Sequence, residues 1–155
     1  MRIIIAVPLL LAMAFGFTGT SLAANCMGGA CEVGEKVTTQ ASQRDKVYNC
    51  PTQGLAEYTN FILGIWAMQA EIAGIKPNAD IEKTATGQTA QFLAMYRKEA
   101  KVKTFNEAIA LCAVGKSGIK GKVSSRPKDS FVIMVEPENG LPHFWTSEGH
   151  LVRSK

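Results

Sequence analysis

Four cysteines constrain this chain more than any other feature, because Cys26, Cys31, Cys50 and Cys112 all lie beyond an apolar leader. From Ile3 to Phe17 the residues are almost wholly apolar, and Ser21 and Ala23 put small side chains where a signal peptidase cuts. That apolar run is shorter than the roughly 20 residues a spanning helix needs. Residues 1–23 are therefore expected to be a cleaved signal peptide. A lipid anchor on Cys26 is not expected, since Asn25 stands where a lipobox wants a small residue. The other apolar stretch, Leu55 to Ile75, is interrupted by Glu57, Asn60, Gln69 and Glu71, so no stable membrane insertion is expected after cleavage.

Export changes how the cysteines are read. An even number in an oxidising compartment argues for two disulfides. Three pairings are possible, and Cys26 with Cys31 and Cys50 with Cys112 is favoured, because Gly28, Gly29 and Ala30 let the short loop close tightly. A redox centre wants C-x-x-C, and a zinc site would have to gather Cys26 and Cys31 with His143 and His150. The spacing supports neither, so no metal and no cofactor are expected.

The 155 residues less the leader make one domain's worth of chain, which divides by pattern. Residues 24–49 are polar, with Val33, Val37, Val47 and Tyr48 scattered among them, and read as an N-terminal arm pinned by the small disulfide. Residues 50–115 are helical. Pro51 suits a first turn, Leu55, Tyr58, Ile62, Ile65 and Ile72 build one face widened by Phe61, Trp66 and Met68, and Gly74 with Pro77 stops the helix. A second helix starts near Asn78 or Asp80 and breaks at Gly87. There Thr86 caps a new one through Lys101, with Phe92, Leu93, Tyr96 and Ala100 inward. Thr104-Phe105-Asn106-Glu107 is a capping box opening a last helix that points Cys112 inward and stops at Gly115.

Residues 116–129 read as an exposed basic linker, and 130–155 as a β-hairpin extension. Asn139-Gly140 between apolar runs makes a two-residue turn that sets Val135 opposite Phe144 and Met134 opposite Trp145, and Glu148-Gly149 turns the chain into a short third strand. The expected fold is mainly α: a small disulfide-stapled helical bundle with a C-terminal β-hairpin or three-stranded meander.

Charge is uneven. Between Arg97 and Lys128 there are nine bases and two acids, a local +7, against seven bases and eleven acids over the rest of the chain beyond the leader. The exported compartment, and the lack of aromatics among these lysines to stack bases, argue against a nucleic-acid ligand. A solvated linker and helix face is the favoured reading, and attraction to an acidic partner or an anionic envelope surface is the functional alternative. His143 and His150 stand in no recognisable triad, Glu136 and Glu138 have no supporting feature, and no phosphate loop or H-E-x-x-H occurs. The chain is expected not to be an enzyme. His143, Phe144, Trp145, Lys120 and Lys122 are the expected partner contacts, with alternation making one of Phe144 and Trp145 core.

Cys50, Tyr58, Gly64-Ile65, Gly74 to Pro77, Phe92-Leu93, Tyr96 and the closing Ala108 to Cys112 together resemble the small exported immunity proteins of the Rap/Tai kind, over residues 50–113. Those proteins neutralise peptidoglycan amidases delivered by type VI secretion. The resemblance implies a compact α-helical periplasmic domain with a disulfide, which acts by covering an enzyme's active site. The Cys26–Cys31 loop and the residues after Phe131 are not part of that pattern. The expectation is thus a soluble periplasmic inhibitor that binds a cell-wall-degrading effector. The alternative is an adaptor subunit of an envelope secretion or conjugation apparatus, and a homodimer stays open.

Overall fold

The computed structural model describes residues 25–41, 46–73 and 81–154. The expected signal peptide, the Gly74–Pro77 stop and the Asn78 or Asp80 cap lie outside them, as does the side chain of Ile72. In chain order the elements are strands β1 (Lys36–Thr39) and β2 (Tyr48–Asn49), helices α1 (Gln53–Ala73), α2 (Ile81–Thr84), α3 (Gly87–Ala100) and α4 (Phe105–Ala110), then strands β3 (Ala113–Val114), β4 (Lys120–Ser125), β5 (Val132–Pro137), β6 (Phe144–Ser147) and β7 (Leu151–Arg153).

The chain is mixed α and β, which corrects the mainly helical expectation. Five strands form an antiparallel sheet in the order β6-β5-β4-β1-β7, and β2 pairs with β3 in a second, two-stranded sheet. The residues read as a polar arm supply β1, and those read as a basic linker supply β4. Each strand is short and shows little apolar alternation. Strand β4 points Lys120 and Lys122 outward, and its inward positions are Gly121 and Val123. Gly121 is required: a Cβ there would meet the Glu136 carbonyl oxygen at 2.6 Å and Val135 Cγ1 at 2.7 Å. An inward slot filled by glycine leaves the period-2 signal without an apolar residue to carry it.

The hairpin pairs Val135 with Phe144 and Met134 with Trp145, the expected register. Its ladder stops at the Val135–Phe144 pair, so residues 136–143 join the strands in place of the expected two-residue turn; there Gly140 has φ 75° and Asn139 Oδ1 accepts from the Leu141 amide at 3.2 Å. The third strand is not added to this hairpin. Strand β7 pairs with β1 through Val37–Arg153, Thr38–Val152 and Thr39–Leu151, at the other end of the sheet.

That placement bends the sheet. Five flat strands would set their edges about 19 Å apart, but β6 and β7 are separated only by the 3₁₀ turn Glu148–His150, whose rise is roughly 2 Å per residue. The sheet must coil to bring β7 back. Its concave side buries Val37, Val123, Ile133, Val135, Phe144 and Leu151 around the Cys26–Cys31 disulfide.

The helices form a lobe inserted between β1 and β4. Thr52 Oγ1 accepts the Leu55 amide at 3.4 Å to start α1. Lys101, in the left-handed region at φ 56°, ends α3. Thr104 Oγ1 accepts the Glu107 amide at 3.2 Å, while Glu107 Oε2 accepts from the Lys103 amide at 2.8 Å, which closes the expected capping box. This last helix ends at Ala110, so Cys112 lies just beyond it, where it bonds to Cys50. The lobe buries Tyr58, Ile62, Leu93, Ala100, Val102 and Ala108 in a core of its own. It rests on the outer face of the hairpin through Val132 and Trp145. Gly54 allows the closest α1–α3 approach, since a Cβ would meet the Glu99 carbonyl oxygen at 2.8 Å.

Lobe and sheet are joined at a neck. Tyr48 pairs with Val114 and Asn49 with Ala113, the Cys50–Cys112 disulfide lies one step further along β2, and Cys50 exchanges two backbone hydrogen bonds with Trp145, at 2.9 and 2.8 Å. No helix among the described residues is long and apolar enough to cross a membrane.

Candidate functional site

Helix α1 carries more apolar surface than its core contact uses. Leu55, Tyr58 and Ile62 are buried, and a neighbouring stripe of Phe61, Ile65 and Met68, spaced four and three residues apart, is left half-buried or exposed. With Phe131, from the segment entering β5, this stripe lines a groove of about 330 Å³. Gly64 opens its middle: it is exposed, and a Cβ there would meet nothing within 4 Å.

Asn60, which also lines the groove, is 7% exposed. Its Nδ2 donates to the Ala56 carbonyl at 2.8 Å, and its Oδ1 is buried without a partner among the described residues. A buried acceptor left unpaired costs on the order of 1–3 kcal/mol. The groove therefore combines apolar walls with one unsatisfied acceptor.

Behind it the rings of Phe61, Phe92, Tyr96 and Phe131 form a chain, with centroids 5.2 Å apart for Phe61–Tyr96, 6.0 Å for Phe61–Phe92 and 6.1 Å for Tyr96–Phe131. Two of these pairs are edge-to-face and Phe61–Tyr96 is tilted, and rings at these separations hold one another in place. Met68, Phe92 and Met95 remain exposed along the α1 and α3 surfaces.

Two polar clusters brace this face from inside. The buried Glu57 accepts at Oε1 from Gln53 Nε2 at 2.9 Å and from Ser130 Oγ at 2.6 Å, which ties α1 to the segment entering β5. Tyr58 donates its hydroxyl to Glu82, which also pairs with Arg97 Nη1 at 3.5 Å. Burial, and then the hydrogen bond to Glu82, holds the Tyr58 phenol above the ordinary tyrosine range, with Arg97 pulling the other way. The Tyr96 phenol is raised by burial and by the charges of Glu57 and Glu99. Both hydroxyls stay protonated at neutral pH, and that of Tyr58 serves as a fixed donor to Glu82.

The residues singled out from the sequence are scattered. Phe144 is 7% exposed inside the sheet core, which makes it the core member of the Phe144–Trp145 pair. Trp145 is half-buried against the helical core. His143 is exposed, with Nε2 4.0 Å from Glu136 Oε1, and Glu136 Oε2 lies 3.3 Å from Lys122 Nζ. Lys120 is exposed on the same outer face of the sheet. The two disulfides join Cys26 to Cys31 and Cys50 to Cys112. The local +7 is partly cancelled in space, where Arg97, Lys122 and Arg126 meet Glu82, Glu136 and Glu148.

Sequence reasoning put Phe61 and Met68 on the core face and passed over Asn60 and Phe131. The available signal was the width of the α1 apolar band, broader than one packing contact needs. Among the described residues no group of three or more His, Cys, Asp or Glu side chains is placed to hold a metal. No protein-family model, curated protein or solved structure matches the chain.

Proposed function

We propose that this chain is an exported, non-catalytic protein of the periplasm that inhibits a cell-wall-degrading enzyme of the peptidoglycan-amidase class by covering it. The groove of Phe61, Ile65, Met68 and Phe131, with the unpaired Asn60 Oδ1, carries the reading. Apolar clefts on a rigid frame, with few polar groups to fix orientation, are where partner side chains anchor. Export is supported by the leader and by two disulfides between buried or half-buried cysteines, since such bonds persist in oxidising compartments. The amidase class is supported by the resemblance of residues 50–113 to Rap/Tai immunity proteins.

The adaptor reading keeps the basic segment but is less supported at the hairpin, because the outer edge of β6 is bridged by Cys50 at Trp145 and is not free there to add to a partner's sheet. Titration of the protein into purified secreted peptidoglycan amidases tests the proposal. Binding with loss of amidase activity is expected. Gly64→Arg, which places a cation in the apolar groove, should weaken it at least roughly tenfold without lowering the melting temperature. Failure to bind any such enzyme, or equal inhibition by the Gly64→Arg protein, overturns the reading.

A further inference from the structure

The outer face of the coiled sheet is built differently from its helix-covered half. Lys36 and Lys122 stand directly opposite each other across β1 and β4, and Lys120 lies two residues along β4 on the same side, opposite Thr38. Like charges directly opposite across a pair of strands destabilise it. Glu136 relieves Lys122, but among the described residues no carboxylate lies within 4.0 Å of Lys36, Lys116 or Lys120.

These lysines edge a trough. Two adjoining depressions of about 560 and 450 Å³ share Lys120 and Glu138. One runs from Lys116 to the hairpin tip, and the other crosses from Lys120 over Thr38 to Ser154 on the β7 side. Thr38 Oγ1 and Ser154 Oγ lie 2.6 Å apart in the second. Hydroxyl and amide groups of Ser117 and Asn139 line the first. Ammonium groups thus alternate with neutral hydrogen-bonding groups along an extended, open path, with Glu138 the one carboxylate lining both parts.

We propose that this trough binds a linear acidic polysaccharide, with Lys36, Lys116 and Lys120 meeting its carboxylates and the Thr38, Ser117, Asn139 and Ser154 side chains meeting its hydroxyls. The chemistry of the lining selects this occupant. No aromatic side chain lines either depression, so nothing is present to stack nucleic-acid bases. The lining is recessed in two open depressions, and Leu141 at one end is its one large exposed apolar side chain, whereas a bilayer-binding face presents a broad apolar side. A polyhydroxylated anion uses both the charges and the hydroxyls. The site lies on the sheet, apart from the groove on α1, and it does not depend on the groove's proposed role.

Binding to immobilised polygalacturonate, with dextran as the uncharged control, tests the assignment on the full protein. The wild-type protein should bind polygalacturonate and not dextran, with affinity falling as salt rises. The triple variant Lys36→Glu/Lys116→Glu/Lys120→Glu should bind at least roughly tenfold more weakly, and Lys98→Glu/Lys103→Glu/Lys128→Glu, with the same change of net charge placed elsewhere, by less than roughly threefold. If the first triple variant fails to fold, glutamine at the same three positions replaces it, with the same ranking expected. Equal losses in the two variants overturn the proposal, as does equal binding to dextran or tighter binding to single-stranded DNA or phosphatidylglycerol vesicles. Gly64→Arg should leave polygalacturonate binding unchanged, which separates this site from the groove.

Discussion

The two disulfides serve different purposes in the two regions they belong to. Cys50–Cys112 spans 62 residues and closes the helical lobe at its neck, whereas Cys26–Cys31 spans five and fills the concave side of the sheet. The lobe is continuous in sequence. The sheet is assembled from segments on either side of it, so β1 reaches β4 only across the whole inserted lobe. With the neck closed, that loop shrinks in effect from roughly 80 residues to about 20, which lowers its closure cost by about 1.2 kcal/mol. The lobe's disulfide therefore stabilises the sheet as well as the lobe.

The largest effect should come from removing that bridge. Replacing both Cys50 and Cys112 by Ala is expected to cost up to about 4 kcal/mol in the chain-entropy picture, against about 2 kcal/mol for the Cys26 and Cys31 pair. Urea unfolding followed by helix and near-ultraviolet circular dichroism would read both. Loss of the neck should weaken sheet and helices together, and a sheet signal left intact while the lobe melts would break the comparison.

Next in size is the tie between the regions. Ser130→Ala removes the 2.6 Å hydrogen bond to the buried Glu57 carboxylate and should cost about 1.5–3 kcal/mol, as bonds to charged groups do. Lys128→Ala, at an exposed position of the same segment, should change stability little by the same urea measurement.

The smallest effects contrast two glycines. Gly121→Ala forces a Cβ into the β4–β5 contact and should cost about 1–3 kcal/mol. Gly64→Ala, in open space on α1, should gain about 0.5–1 kcal/mol from helix propensity. Thermal melts of the pair would show opposite signs. Equal signs would mean that the close approach at Gly121 is absent.

The same contrast explains how much could be read from the sequence. Helical signals are local, so the spacing of Leu55, Tyr58 and Ile62, the Thr86 cap and the Thr104–Glu107 box place α1, α3 and α4 to within a few residues. The hairpin register followed from Asn139-Gly140 and the flanking apolar runs for the same reason. Strands β1 and β4 pair across the lobe and offer one inward apolar side chain each, Val37 and Val123. Nothing within either segment reveals its partner. The groove was half legible: Phe61, Ile65 and Met68 were visible as apolar helix positions, but Phe131 joins them only because β5 packs beside α1 in space.

Hydrogen exchange at individual amides tests the central claim most directly, namely that the polar arm and the basic segment form one sheet that folds with the lobe. The Thr39 amide donates to the Ile119 carbonyl at 2.9 Å and the Val123 amide to the Glu35 carbonyl at 2.9 Å. Both should exchange as slowly as the Ile62 amide in the lobe core, through global opening. Exchange of Thr39 and Val123 at unprotected rates, with Ile62 still protected, would contradict the account.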